Sequence, residues 1–157
     1  LGKQTTSSLN GIEPELSGNR ALLRPPSIVF VNHSSELLSL FIDLILKPIR
    51  PYPCHPFTSG EQAWQACIEL RPDLVISDLR AYELSGLELC QRIRADSVLS
   101  GTPFLLFTPG LSILQLLSLK SQADYLSYPC SPSEFVRSVD NGLRQSRPEY
   151  MKQYKFR

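Results

Sequence analysis

The stretch Arg71–Gln91, RPDLVISDLRAYELSGLELCQ, constrains this chain more than any other. Pro72 ends the segment before it, Leu74, Val75 and Ile76 form a short apolar run of the buried-strand type, and Asp78 stands where that run stops. A loop follows. Ser85 with Glu88 then makes an S-x-x-E capping box, which opens a helix carrying Leu87, Cys90 and Ile93 inward. Strand, acid, loop and helix in this order form the repeating unit of an alternating α/β chain.

The alternation runs along most of the sequence. Residues 27–31, SIVFV, are β-branched and aromatic, as in a strand buried on both faces, and they end at Asn32 and His33. Ser34 or Ser35 caps the helix SELLSLFIDLILK, with Leu37, Leu38, Phe41, Leu44 and Ile45 in one stripe that Leu40, Ile42 and Leu46 widen. Pro48, Pro51, Pro53 and Pro56 punctuate a weak strand over about Tyr52–Thr58, which belongs at a sheet edge because proline donates nothing to a ladder. Ser59 and Gln62 open a second helix with Ala63, Ala66, Cys67 and Leu70 at helical spacing. After the Arg71–Gln91 unit, Pro103 starts a fourth strand, FLLF, that ends at Thr108. The segment Leu111–Lys120 is helical by period but carries six apolar side chains, so it is either mostly buried or has an exposed apolar face. A short strand, Asp124–Ser127, leads to Tyr128 and Pro129. Ser131, Pro132 and Glu134 then start a last helix burying Phe135, Val136, Val139 and Leu143.

Five strands alternating with five helices predict an α/β, flavodoxin-like (βα)5 three-layer sandwich with a five-stranded parallel sheet in the order 2-1-3-4-5. That order puts the proline-rich strand at an edge. The expected organisation is a flexible linker or arm over 1–26, one domain over 27–146, and a frayed tail over 147–157 in which Lys and Arg mix with Tyr150, Tyr154 and Phe156.

A length of 157 residues suits one domain, and a net charge of +1 with 42% apolar residues gives neither a basic face suited to nucleic acid nor the signature of disorder. The four cysteines lack a C-x-x-C pair and fall on elements that look buried, as expected of reduced thiols in a cytoplasmic protein. The apolar stretch Leu37–Leu46 contains Asp43 and is about half the length a bilayer-spanning helix needs, so no membrane contact is expected. The chain begins with Leu, and a fragment of a longer protein is expected.

In folds of this class the functional crevice lies outside the carboxyl ends of the strands. Those ends carry Asn32 and His33, Asp78, Thr108, and Tyr128 with Pro129. Over about Ser27–Arg144 the chain resembles a response-regulator receiver domain, because the Asp78–Leu89 segment, Thr108, Tyr125 and Pro129 fall at matching positions. The resemblance makes Asp78 the phosphoacceptor equivalent and Thr108 with Tyr125 the switch pair. It puts Asn32 and His33 where the family has an acidic pair that holds Mg²⁺, and Tyr128 where it has the Lys before Pro129. An amide and an imidazole are poor ligands for a hard cation and a phenol brings no positive charge, so Mg²⁺ binding is expected to be weak or absent, with no other metal or cofactor. Tyr82 stands where the family has a proline four residues after the acceptor, whereas Gly86 is kept.

The resemblance thus implies a degenerate receiver, or pseudo-receiver, comparable to the C-terminal receiver of cyanobacterial PatA-like regulators. It would be a signalling module of two-component type rather than an enzyme, acting by protein–protein interaction. Asp78 is then expected to be a solvated strand-end carboxylate. The expected partner is another signalling protein or domain, or a second copy, met through the helix-four, strand-five and helix-five face or the first helix. Nucleic acid is not expected as a partner, because no basic recognition helix follows the domain. One alternative is a working receiver phosphorylated on Asp78 by a histidine kinase, using Asn32 and water-held Mg²⁺. Another is a flavodoxin-like cofactor domain, which needs a phosphate-cradling loop after strand one, where the chain reads NHSSE without glycine.

Overall fold

The computed structural model describes residues 24–119 and 122–153. Its five strands are β1 (Ile28–Val31), β2 (Cys54–Phe57), β3 (Leu74–Ser77), β4 (Phe104–Thr108) and β5 (Asp124–Ser127), all parallel and ordered β2-β1-β3-β4-β5. The expected order is the observed one. Helices α1 (Ser35–Ser39, continuing as a π-helix over Leu40–Leu46), α2 (Gly60–Leu70), α3 (Gly86–Ala95), α4 (Ile113–Leu119), α5 (Pro132–Ser146) and α6 (Pro148–Gln153) complete the fold. Pro56 sits in β2, opposite Phe30 on one side only, so its missing N–H costs no ladder bond on the free edge.

Successive strand residues point to opposite faces, and the core divides accordingly. On one side Ile28, Phe30, Leu74, Ile76, Leu105 and Phe107 pack under α1 and α5 with Phe41, Phe135 and Leu143. On the other, Val29, Val31, Val75 and Leu106 meet Ala63 and Cys67 of α2 and Leu89, Cys90 and Ile93 of α3. Leu87, expected inward on α3, is only partly buried, and Leu89 takes the central position.

Two helices differ from the expected pattern. In α1 the bonds change to the i→i+5 type, with Lys47 N–H donating to the Ile42 carbonyl at 2.8 Å. The wider turn brings Phe41 and Leu46, five residues apart, to the buried side and leaves Leu44 exposed, where a 3.6-residue period had put it inward. The second difference lies beyond α5. The expected frayed tail is helical over Pro148–Gln153, with Tyr150 and Met151 buried in the α1/α5 core, because Arg147 anchors its start by an ion pair to Asp73 at 3.3 Å. The arm up to residue 23 and residues 154–157 lie outside the described residues.

A buried polar cluster joins these parts. Arg50, in the turn after α1, donates from Nη2 to Asp140 Oδ2 of α5 at 2.8 Å and from Nε to Asp140 Oδ1 at 3.1 Å, while the Tyr52 hydroxyl donates to Asp140 Oδ1 at 2.8 Å. The Asp140 hydrogen bond raises the Arg50 pKa, and burial raises that of Tyr52. Neither sequence periodicity nor capping signals mark a contact between residues 90 positions apart. Removing the acid strands a buried guanidinium, so Asp140→Ala is expected to lower stability by about 3–5 kcal/mol, read as a reduced denaturation midpoint.

The four cysteines are free, as reduced thiols would be. Burial pushes Cys67 up to about 12, and burial together with the Asp43 charge pushes Cys54 up to about 12. At pH 8 only about one in ten thousand of such thiols is ionised. Iodoacetamide is therefore expected to leave Cys54 and Cys67 unmodified in the native protein at that pH, to label them faster as pH rises, and to label them promptly in denaturant. Peptide mass mapping checks this.

Candidate functional site

The strand ends meet in a crevice of about 120 Å³ lined by Asn32, His33, Leu37, Asp78, Arg80, Phe107, Pro109 and Tyr128. Each residue arrives there for a local reason. β1 and β3 are paired in register from Ile28 with Leu74 to Val31 with Ser77, so the residues just after them, Asn32 and Asp78, come to the same rim. The Asp78 N–H donates to the Val31 carbonyl at 2.9 Å, which fixes that rim. β4 brings Thr108 from the other side of β3.

Asp78 is 1% exposed, which corrects the expectation of a solvated carboxylate. A buried carboxylate needs partners, and this one has two. Thr108 Oγ1 donates to Oδ1 at 2.5 Å, and His33 Nδ1 lies 2.8 Å from Oδ2. The His33 side chain is 35% exposed, so it bridges the buried acid to solvent. The loop after Asp78 is held separately: Gly86, at the start of α3, packs so closely that a Cβ there would lie 2.3 Å from the Asp78 carbonyl oxygen. Ser85 caps α3 by accepting from the Glu88 N–H at 3.2 Å, as the S-x-x-E spacing predicted. Farther along that loop, Tyr82 bridges to Ser59, and the Ser59 hydroxyl donates to Glu83.

The remaining candidate residues fall into different surroundings. The Asn32 side chain is buried, and its Oδ1 accepts from the Ser34 N–H at 2.9 Å, so that oxygen closes a turn. Tyr128 packs edge-on against Phe41 and Phe107 with ring centroids 5.8 Å away, and its hydroxyl makes no hydrogen bond among the described residues. Where a lysine would bring charge, this chain has the end of an aromatic cluster. The Tyr128–Pro129 peptide is cis. Tyr125 is half-buried on the α2/α3 side of the sheet and does not line the crevice, whereas Thr108 is fully buried and bonded to Asp78. The structure thus brings Asn32, His33, Asp78, Thr108 and Tyr128 together and leaves Tyr125 apart.

Arg80 was not anticipated. It is exposed, lines the crevice, and has no ion pair among the described residues. Its place two residues after the strand-end acid was the available signal. A larger cavity of about 750 Å³ lies between α1 and β2, bordered by Asp43, Lys47, Cys54 and Phe57, and contains none of the strand-end residues.

The donor set does not fit Mg²⁺. The hard cation wants about six oxygens in octahedral array with carboxylate charge among them, but the crevice supplies one carboxylate whose oxygens are already bonded, a committed amide oxygen and an imidazole. No group of three metal-binding side chains occurs among the described residues.

Known proteins bear on this geometry. No family model matches the chain. In sequence it is 39% identical over 92 residues to the DNA-binding response regulator MtrA of Mycolicibacterium smegmatis, an alignment covering 57% of this chain and 39% of that protein. It is 32% identical over 126 residues to the transcriptional regulatory protein BaeR of Escherichia coli, covering 79% of this chain and 50% of the relative. The chain therefore spans about two fifths to half of the curated relatives it matches. In structure, the signal receiver domain of a Luxo-type repressor protein from Vibrio parahaemolyticus superposes with a TM-score of 0.72 at 23% identity, covering 83% of this chain and 99% of that one, a likeness of fold.

These relatives overturn the expectation that nucleic acid is no partner. Proteins named for DNA binding and transcriptional regulation match this chain, and they are about two to two and a half times the aligned length. The missing basic helix speaks only for the residues present. No described helix is long and apolar enough to cross a membrane.

Because Gly86 lies against the Asp78 carbonyl, Gly86→Ala is expected to cost about 1–3 kcal/mol through overpacking against backbone that cannot turn away. Thermal denaturation reads the loss. The His33 ring resonances are expected to shift as Asp78 is displaced.

Proposed function

We propose that this chain, a receiver domain of the response-regulator superfamily, serves as a signalling module that works without phosphorylation of Asp78. One observation carries the reading: both carboxylate oxygens are already bonded, Oδ1 by Thr108 and Oδ2 by His33. An attacking carboxylate must meet an anionic phosphoryl group, which requires cations to hold the charges together. Here an amide and an imidazole stand where the family has the acidic pair that holds the metal, an aromatic ring replaces the lysine, and releasing a bond to the charged acid costs about 1.5–3 kcal/mol before any chemistry. Signalling then rests on contacts the domain makes in its resting shape.

The surface that suits this role is α4. Ile113, Leu114 and Leu117 are 74%, 79% and 60% exposed. An aliphatic face of this kind marks an interaction surface. The relatives' names support a longer parent that regulates transcription through DNA, and this face would hold the parent's DNA-binding part or a second copy in position. A PatA-like parent, with the receiver at its C-terminal end, is the finer form of the same idea.

A second reading, a working receiver phosphorylated on Asp78 by a histidine kinase, is favoured by the Thr108–Asp78 contact and by the Arg80 cation at the crevice. Intact-mass spectrometry after incubation with acetyl phosphate and Mg²⁺ separates the two. No phosphoryl adduct on Asp78 is expected, and an alkali-labile adduct mapped to the Asp78 peptide and absent in Asp78→Asn would establish the second reading instead. Leu114→Glu with Leu117→Glu is expected to change stability by no more than about 0.5 kcal/mol per site and to abolish association through α4, read by sedimentation velocity.

A further inference from the structure

The contact that occupies Asp78 leaves His33 in an unusual state. Its Nδ1 faces the Asp78 carboxylate at 2.8 Å, its ring is 35% exposed, and Nε2 has no hydrogen bond among the described residues. A carboxylate acceptor fixes the tautomer that carries its proton on Nδ1, which leaves the Nε2 lone pair free. A carboxylate so placed also offsets the positive charge that develops on the ring when Nε2 becomes a nucleophile. Asp78 is itself held by Thr108, so the pair is oriented from behind. The Arg80 side chain lines the same crevice without an ion pair among the described residues, a cation available to phosphoryl oxygens.

We infer that His33 is a phosphoryl-accepting nucleophile, with Asp78 as its positioning residue and Arg80 as the group that receives the phosphoryl oxygens. This rests on the reading that Asp78 is not itself the acceptor. The donor class is a small phosphoramidate. With phosphoramidate, the Nε2 lone pair attacks phosphorus, the Nε2–P bond forms, the donor's P–N bond breaks, and ammonia leaves. The proton on Nδ1 stays on the ring in its bond to Asp78, and nothing is oxidised or reduced. The strand-end acid thereby keeps a part in phosphoryl chemistry while the bond is made one residue away, across the rim.

The test incubates the folded protein with potassium phosphoramidate at neutral pH and follows the intact mass and the mapped peptides. The expected product is a single phosphoryl adduct on the His33 peptide, stable in alkali and lost in mild acid, as a P–N bond requires and an acyl phosphate does not. His33→Gln is expected to lose it, while replacing the other histidine, His55→Gln, is expected to change nothing. Asp78→Asn is expected to keep the adduct on His33 but to slow its formation about tenfold or more, because the counter-charge is gone. Arg80→Ala is expected to slow it less. Mapping on the unaltered protein does not depend on any variant folding. No adduct at His33 would overturn the inference and leave the proposed function standing. An alkali-labile adduct on Asp78, kept in His33→Gln, would overturn both.

Discussion

A parallel sheet covered by helices on both faces has only its strand ends left for chemistry, and everything distinctive here follows from that constraint. β3 lies at the centre of the sheet, so the acid that follows it is surrounded by β1 on one side and β4 on the other. Burial at that place is what obliges Asp78 to be bonded at both oxygens. α3 presses the same residue from the loop side, where only Gly86 leaves room for the backbone to pass. The carboxylate is therefore held by strand pairing, by two side chains and by a helix start at once.

The neighbouring aromatic cluster explains the character of the crevice wall. Phe30, Phe41, Phe107 and Phe135 pack with centroids 4.8–6.3 Å apart, and Tyr128 extends the group to the rim. A lysine there would project an ammonium from an apolar surface. The tyrosine instead continues the core outward and leaves Arg80, from another loop, as the nearby cation. The same core reaches past α5, because Tyr150 and Met151 fill space beside Tyr52 that the Arg50–Asp140 pair keeps polar on its far side. Ion pair and tail helix together close the end of the molecule opposite the strand-end crevice.

α4 is the element least covered by the fold. It carries apolar side chains at nearly every position, yet among its described residues only Leu119 is buried. Period and composition alone left both a buried and an exposed face open, and the choice depended on how little of the sheet lies beneath it. The relatives are about two to two and a half times the aligned length, and an uncovered apolar face of this kind is the surface that the proposed role would use.

Local signals settled the architecture. Apolar runs ended by polar residues marked the strands, Ser59, Ser85 and Ser131 marked the helix starts they were expected to cap, and the prolines in and just before β2 marked it as an edge strand. Those signals act within a turn or a strand and can be read from neighbours in the chain. The strand-end residues were legible for the same reason: alternation and topology alone bring Asn32, His33, Asp78, Thr108 and Tyr128 to one rim. What they do there was not legible. The burial of Asp78, its bond to His33, the use of Asn32 as a turn acceptor, the π-helical end of α1 and the Arg50–Asp140 pair all join residues whose fit depends on packed distances rather than spacing. Sequence determined which groups share the site. Tertiary structure decided which of them are bonded to each other, because only close packing fixes where desolvated charges find their partners.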